Sequence, residues 1–208
     1  MDKVLKIIEF LEDQDLLKDS SEFWWPSYGN FEVVIGAILT QNTTWINVEK
    51  SLQNLKYHLI LDSFLTLEED LLKQYIKPSG FYNQKAPRLL LLSYNIKNEF
   101  KSFETFKKNV SRKWLLEQKG IGEETADSIL CYACSRDELV IDSYTKRLLK
   151  LFDVEFKTYK EYKNYLENGI KKNWQILSKR YKNNKNLCYA QLHGMIVEYN
   201  KKERLKNV

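Results

Sequence analysis

The sequence predicts an all-α fold. Only 7 glycines and 3 prolines interrupt 208 residues, which favours helices with few breaks. No stretch alternates apolar and polar residues in the manner of a half-buried strand. Apolar side chains recur instead at helical steps. In 112–118 (RKWLLEQ), Trp114, Leu115 and the polar Gln118 are spaced by helical steps, and Ala126, Ile129, Leu130 and Ala133 line one face of 125–134.

In chain order, helices are expected near residues 2–17, 30–40, 44–56, 68–76, 86–98, 103–108, 112–118, 123–134, 142–152, 158–170 and 187–204. The first is acidic and amphipathic and lacks the layout of a signal peptide. Trp24-Trp25-Pro26 follows it and reads as extended, because proline biases the preceding residue away from helix. Residues 181–186 are the expected exposed loop. This length supports one or two compact domains. No apolar run is long enough to span a membrane, so no membrane partner is expected. Three cysteines without a disulfide framework suit a reducing cytoplasm, the expected location. Cys131 and Cys134 have CxxC spacing but fall inside an expected helix with no second pair. They read as core packing rather than a zinc or redox site.

Two features carry chemistry. Gly120-Ile121-Gly122 makes a tight turn between two helical segments, where glycine supplies backbone freedom. The unpaired N–H groups that open the second helix favour an anion such as a phosphate. That contact fixes position and reads no base. An ordinary corner with a glycine cap would share the pattern. Twenty residues past Gly122, Asp142 opens another helix. Alone it is a preferred N-cap; beside a phosphate site it is also a fixed negative charge.

Charge adds a third hint. Residues 1–142 hold 17 Lys+Arg against 22 Asp+Glu, and residues 143–208 hold 16 against 6. A basic half attracts polyanions, although a lysine-rich solvated surface would look similar. His58 and His193 are the only histidines and Ser143 has no evident base, so a Ser/His hydrolase is unsupported.

Four ordered stretches then join up. Leu115, Gly120, Ile121, Gly122, Thr125 and Ala126 form one. Ile141, Asp142, Ser143, Tyr144 and Arg147 form the second. AILTQNTTWINV (37–48) and GFYNQKA (80–86) are the others, with LHG (192–194) a weaker fifth. Together they resemble the helix–hairpin–helix DNA glycosylases of the endonuclease III superfamily. The resemblance implies two helical lobes with a DNA- and base-binding cleft between them. One would span 24–135 and end in the hairpin; the other would combine 1–23 with 136–208. It implies Asp142 as the catalytic carboxylate and Gln41 as the wedge that fills the place of a flipped base. Lys85, Lys119, Gly120, Ile121, Gly122, Thr125, Lys146 and Arg147 would contact DNA. The backbone carbonyls of Leu116, Gln118 and Ile121 could hold a monovalent cation.

Two departures from that family narrow the expectation. Members that also cut the strand carry a lysine just before the hairpin threonine; here it is Glu124, which cannot form a Schiff base. Many relatives hold an iron–sulfur cluster on four cysteines; this chain has three, and Glu198 falls near the first cluster position. No cofactor is expected. Trp24, Trp25 and Pro26 also resemble the Trp-Trp-Pro stretch of the 3-methyladenine glycosylase branch, which lacks both features.

With Trp45 the two indoles would form a base pocket, and tryptophan is the best aromatic face for a cation such as an alkylated purine. Lys201, and with it Lys202, is a further candidate there. The expected activity is monofunctional. The enzyme, a monomer, would flip an alkylated purine from duplex DNA and hydrolyse its N-glycosidic bond. Asp142 would stabilise the oxocarbenium-like sugar. A mismatch glycosylase of the same superfamily and a non-catalytic DNA-binding module are the alternatives.

Overall fold

The computed structural model describes residues 2–206. Its helices are α1 (Lys3–Glu12), α2 (Phe31–Leu39), α3 (Trp45–Asn54), α4 (Leu61–Phe64), α5 (Glu69–Ile76), α6 (Tyr82–Phe100), α7 (Phe103–Asn109), α8 (Arg112–Leu116), α9 (Glu123–Ser128), α10 (Ser143–Leu151), α11 (Tyr159–Lys172), α12 (Trp174–Arg180) and α13 (Lys185–Lys206). No strand occurs among the described residues; a single bridge joins Ser21 to Trp24. None of these helices is long and apolar enough to cross a membrane.

Several expected boundaries move, for local reasons. α1 stops at Glu12 rather than near 17. Asp13 and Asp15 follow, and carboxylates are unfavourable at a helix C-terminus. Asp15 then takes φ +52°, which ends the turn. α6 starts at Tyr82 and runs through Pro87. The expected 123–134 helix changes pitch after Ser128 into one π turn, Ile129–Ala133. The short helices α4 and α12 had no clear periodic signal in the sequence.

The chain divides into two compact units. One is Ser27–Ser135; the other joins the residues up to Pro26 with those from Arg136 onward. Trp24, Trp25 and Pro26, expected with the middle of the chain, thus belong with the terminal helices. The Trp24 indole explains this, because it packs on α13 at His193 and Gly194.

In the Ser27–Ser135 unit, α2 is buried at every position from Val33 to Leu39. It forms the centre against α3, α6 and the π turn. In the terminal unit, Val4, Ile8 and Leu11 of α1 meet Leu148 and Leu149 of α10, Leu166 and Ile170 of α11, and Leu192 and Ile196 of α13. A Cβ on Gly169 would lie 2.3 Å from Val4 Cγ2, so glycine is what lets α11 approach α1.

The charge asymmetry of the sequence is largely cancelled by this arrangement. The terminal unit holds 20 Lys+Arg against 16 Asp+Glu, and the other holds 13 against 12. The acidic N-terminal segment pairs with the basic C-terminal helices. Asp2 meets Lys172 at 3.3 Å, Glu9 and Glu12 meet Arg180 at 2.9 and 2.7 Å, and Glu22 meets Lys182 at 2.5 Å. Such exposed pairs contribute about 0–1 kcal/mol each. Their main effect is to leave fewer of those lysines for a polyanion.

Candidate functional site

The hairpin is built within the Ser27–Ser135 unit. Ser111 starts α8 by accepting a hydrogen bond from the Trp114 N–H at 3.1 Å. Gly120 has φ +84°, so its backbone requires glycine; a Cβ there would lie 2.6 Å from Arg88 Cδ, the outer part of a flexible side chain that can move aside. Gly122 differs. It has φ −95° and ψ −179°, which any residue adopts, and a Cβ on it would meet nothing within 4 Å. Its value is the open, exposed surface it leaves over the first N–H groups of α9, for which no side chain serves as cap.

Gln41 lies in the turn between α2 and α3. Its Nε2 donates to Gly120 O and to Thr125 Oγ1, both at 3.0 Å. The amide expected as a wedge is thus anchored to the hairpin. Thr125 is buried and accepts that bond, so it braces the turn rather than facing a phosphate, a correction to its expected role. Ile121 is also buried and can offer only its backbone. Lys119 is exposed and free to reach an anion. The Gln118 carbonyl accepts from Ile121 N–H at 3.1 Å, which leaves one of its two lone pairs for a cation. Leu116, the next carbonyl of that candidate set, is the last residue of α8. Glu124 is exposed beside Glu123 in the first turn of α9, where carboxylates suit the helix dipole. Trp45, half-buried, opens α3.

Lys85 overturns its expected role. It is 2% exposed, and its ammonium donates to Leu39 O and Ser79 O, each at 2.8 Å. Burial pushes its pKa down to about 8. It ties α2 to the turn before α6 and cannot meet DNA.

The acid centre lies wholly in the terminal unit. Asp142 caps α10, with Oδ1 accepting from Thr145 N–H at 2.7 Å and from Thr145 Oγ1 at 2.8 Å. Thr145 Oγ1 in turn receives the Asp142 N–H at 3.4 Å, closing a capping box. Asp142 Oδ2 lies 3.4 Å from His193 Nε2 of α13. Both side chains are buried. Burial pushes the carboxyl upward, but His193 and the Thr145 hydrogen bonds outweigh it and hold Asp142 below the ordinary carboxylate range. A buried aspartate is thereby kept ionised.

Trp24 stands over this pair. Its backbone has φ +66°, a strained value for a bulky residue of the kind that gathers at functional sites. Its ring meets His193 edge to face at 5.3 Å, and its Nε1 donates to Glu198 Oε1 at 3.1 Å. Glu198 also accepts from Lys201 Nζ at 2.8 Å, which holds that ammonium 5.9 Å from the Trp24 ring centre. Trp24 and Lys201 therefore share one cluster with Asp142. Trp25 does not present a face: it is 6% exposed and packs edge to face on Trp24 at 6.0 Å. Pro26 is exposed. Lys146 and Arg147 are exposed on α10, just past Asp142, resting over the rings of Tyr162 and Tyr144.

His193, Gly194 and Glu198 were missed as site residues, although the Leu-His-Gly triplet stood out in the sequence. A Cβ on Gly194 would lie 2.4 Å from Trp24 Cγ, so glycine is what admits the indole. Gly194→Ala should force Trp24 off Glu198 and cost about 1–3 kcal/mol by overpacking. Thermal melting alongside tryptophan fluorescence checks this; an unchanged melt and spectrum would show that α13 shifts freely.

The fold and these motifs define a base-excision enzyme of the helix–hairpin–helix type. The chain belongs to the HhH-GPD superfamily of base excision DNA repair proteins, whose family model matches residues 35–175. A provisionally named DNA repair glycosylase of Methanocaldococcus jannaschii is 40% identical over 188 residues, 86% of this chain and 80% of the relative. The crystal structure of H. pylori 3-methyladenine DNA glycosylase bound to 1,N6-ethenoadenine superposes with a TM-score of 0.92 at 42% identity. It covers 98% of this chain and 99% of that one. A non-covalent endonuclease III–DNA complex matches with a TM-score of 0.67 at 19% identity over 90% of this chain and 85% of that one, a likeness of fold alone. The protein is a DNA glycosylase.

Proposed function

We propose that this glycosylase is monofunctional and removes alkylated purines such as 3-methyladenine from duplex DNA. The observation that carries the chemistry is the buried Asp142, with one oxygen fixed by Thr145 and the other beside His193, a setting that holds its pKa low. The N-glycosidic bond of a cationic purine is already weak, because the base leaves neutral. A fixed negative charge that stabilises the oxocarbenium-like sugar is then the main requirement. The exposed hairpin N–H groups and Lys119 would take a phosphate, and Lys146 and Arg147 would add charge beside the carboxylate.

The substrate class is supported by the 42% identity to a 3-methyladenine glycosylase over nearly the whole of both chains. The half-buried Trp24 indole in the Asp142 cluster is a second support. Three cysteines fall short of the four thiolates a cluster needs, which supports an enzyme that would work without one. A monovalent cation at the hairpin, through the carbonyls of Leu116, Gln118 and Ile121, would steady the turn. The protein would act as a cytoplasmic monomer.

The direct test is incubation with methylated duplex DNA and identification of the free base. Release of 3-methyladenine from this duplex, with none of thymine or adenine from mismatched duplexes, is the expected result. Because Glu124 stands where a strand-cutting relative has lysine, borohydride should trap no protein–DNA adduct. A trapped band would show an amine nucleophile and overturn the monofunctional assignment.

A further inference from the structure

We infer that His193 is a positioning residue that holds the free oxygen of Asp142 in its working orientation. The inference rests on Asp142 being the charge that drives excision. Thr145 supplies both donors to Oδ1, which fixes that oxygen at the start of α10. The terminal torsion of an aspartate is broad, so one anchored oxygen does not set the plane of the carboxylate. His193 Nε2, 3.4 Å from Oδ2, is the second anchor, supplied from α13.

The imidazole is itself held. It is 4% exposed, and Trp24 meets it at an interplanar angle of 88°. Trp24 is in turn tied through Nε1 to Glu198, and Gly194 leaves it room. Aromatic wall, imidazole and carboxylate thus form one chain of contacts. At 3.4 Å the two groups are within ion-pair reach but not aligned as a hydrogen bond, and catalytic contacts that are poorly aligned without substrate tighten in the complex.

Two variants separate positioning from packing. His193→Leu keeps the bulk and removes the donor. His193→Gln places an Nε2 donor at similar reach. Single-turnover release of 3-methyladenine from methylated duplex should fall roughly 10- to 100-fold in His193→Leu. Affinity for undamaged duplex should not change, and His193→Gln should recover most of the rate.

The acid limb of the rate profile adds a readout that packing would not move. His193 helps hold the carboxyl low, so its loss should carry the acid limb to higher pH. The charged neighbours on α13, Glu198 and Lys201, pair with each other and stay in every variant.

In an Asp142→Asn background, His193→Leu should cost nothing further, since the group it positions is gone. Equal losses in the Leu and Gln variants, an unmoved acid limb, or full additivity with Asp142→Asn would each overturn the inference. Failure of the underlying reading looks different: Asp142→Asn would then excise as fast as the wild type.

Discussion

Asp142→Asn should fold and bind duplex DNA but lose about 10²- to 10³-fold of the single-turnover excision rate, the usual effect of removing one preorganised charge-stabilising group. Asparagine is as good an N-cap as aspartate, and its Oδ1 can still accept from Thr145 N–H. The substitution therefore isolates the charge from the cap. Affinity for undamaged duplex should hold or rise, because one negative charge has been removed from a protein that binds a polyanion. The wild-type rate should stay flat well into the acid range, because His193 and Thr145 hold the carboxyl low. Activity is lost only as pH falls through that lowered value. The stability this carboxylate contributes follows the same sign: present above the unfolded value, lost as pH falls through the folded one. A variant within a few-fold of wild type on methylated duplex would reduce Asp142 to a cap.

Why was Asp142 legible when His193 was not? Asp142 sits at a boundary that sequence writes locally: a cap residue, a helical period after it, a glycine turn before it. The hairpin is legible for the same reason, since Gly120 and the two flanking helices lie between residues 112 and 128. His193 acquires meaning only when α13 packs beside α10, which brings together residues 51 apart. Glu198 is similar: one carboxylate among many until it receives both Trp24 and Lys201.

Adjacent indoles were indistinguishable as letters, yet the strained backbone at Trp24 sends one ring toward His193 and leaves Trp25 in the core. Net charge misled in the same way. The linear excess after Asp142 is real, but the acidic N-terminal segment returns to neutralise part of it. Periodicity and caps are local, so they survive being read in one dimension. Burial and pairing are not, and they reassigned the residues.

Lys85 is where that distinction has the largest consequence for stability. Lys85→Ala should destabilise the protein by about 2–5 kcal/mol. The Leu39 and Ser79 carbonyls both lose their donor, and each buried orphan costs about 1–3 kcal/mol. Lys85→Met keeps the aliphatic stem and should recover only the packing part.

Denaturant unfolding measures the loss, and its pH dependence identifies the cause. Burial lowers the Lys85 pKa to about 8 from an ordinary 10.5. Between those values the unfolded chain binds more protons than the folded one, so stability rises with pH across that window. Relative to Lys85→Met, the wild type should therefore gain stability from about pH 8 to 10.5. A lysine on the surface, titrating alike in both states, gives no such slope.

DNA binding separates the two roles of Lys85. A phosphate-contacting lysine would weaken duplex affinity and reduce its salt dependence by about one counterion when removed. The buried Lys85 should leave both unchanged in variants that remain folded. A variant that melts like wild type yet binds DNA with a shallower salt dependence would return Lys85 to the DNA surface.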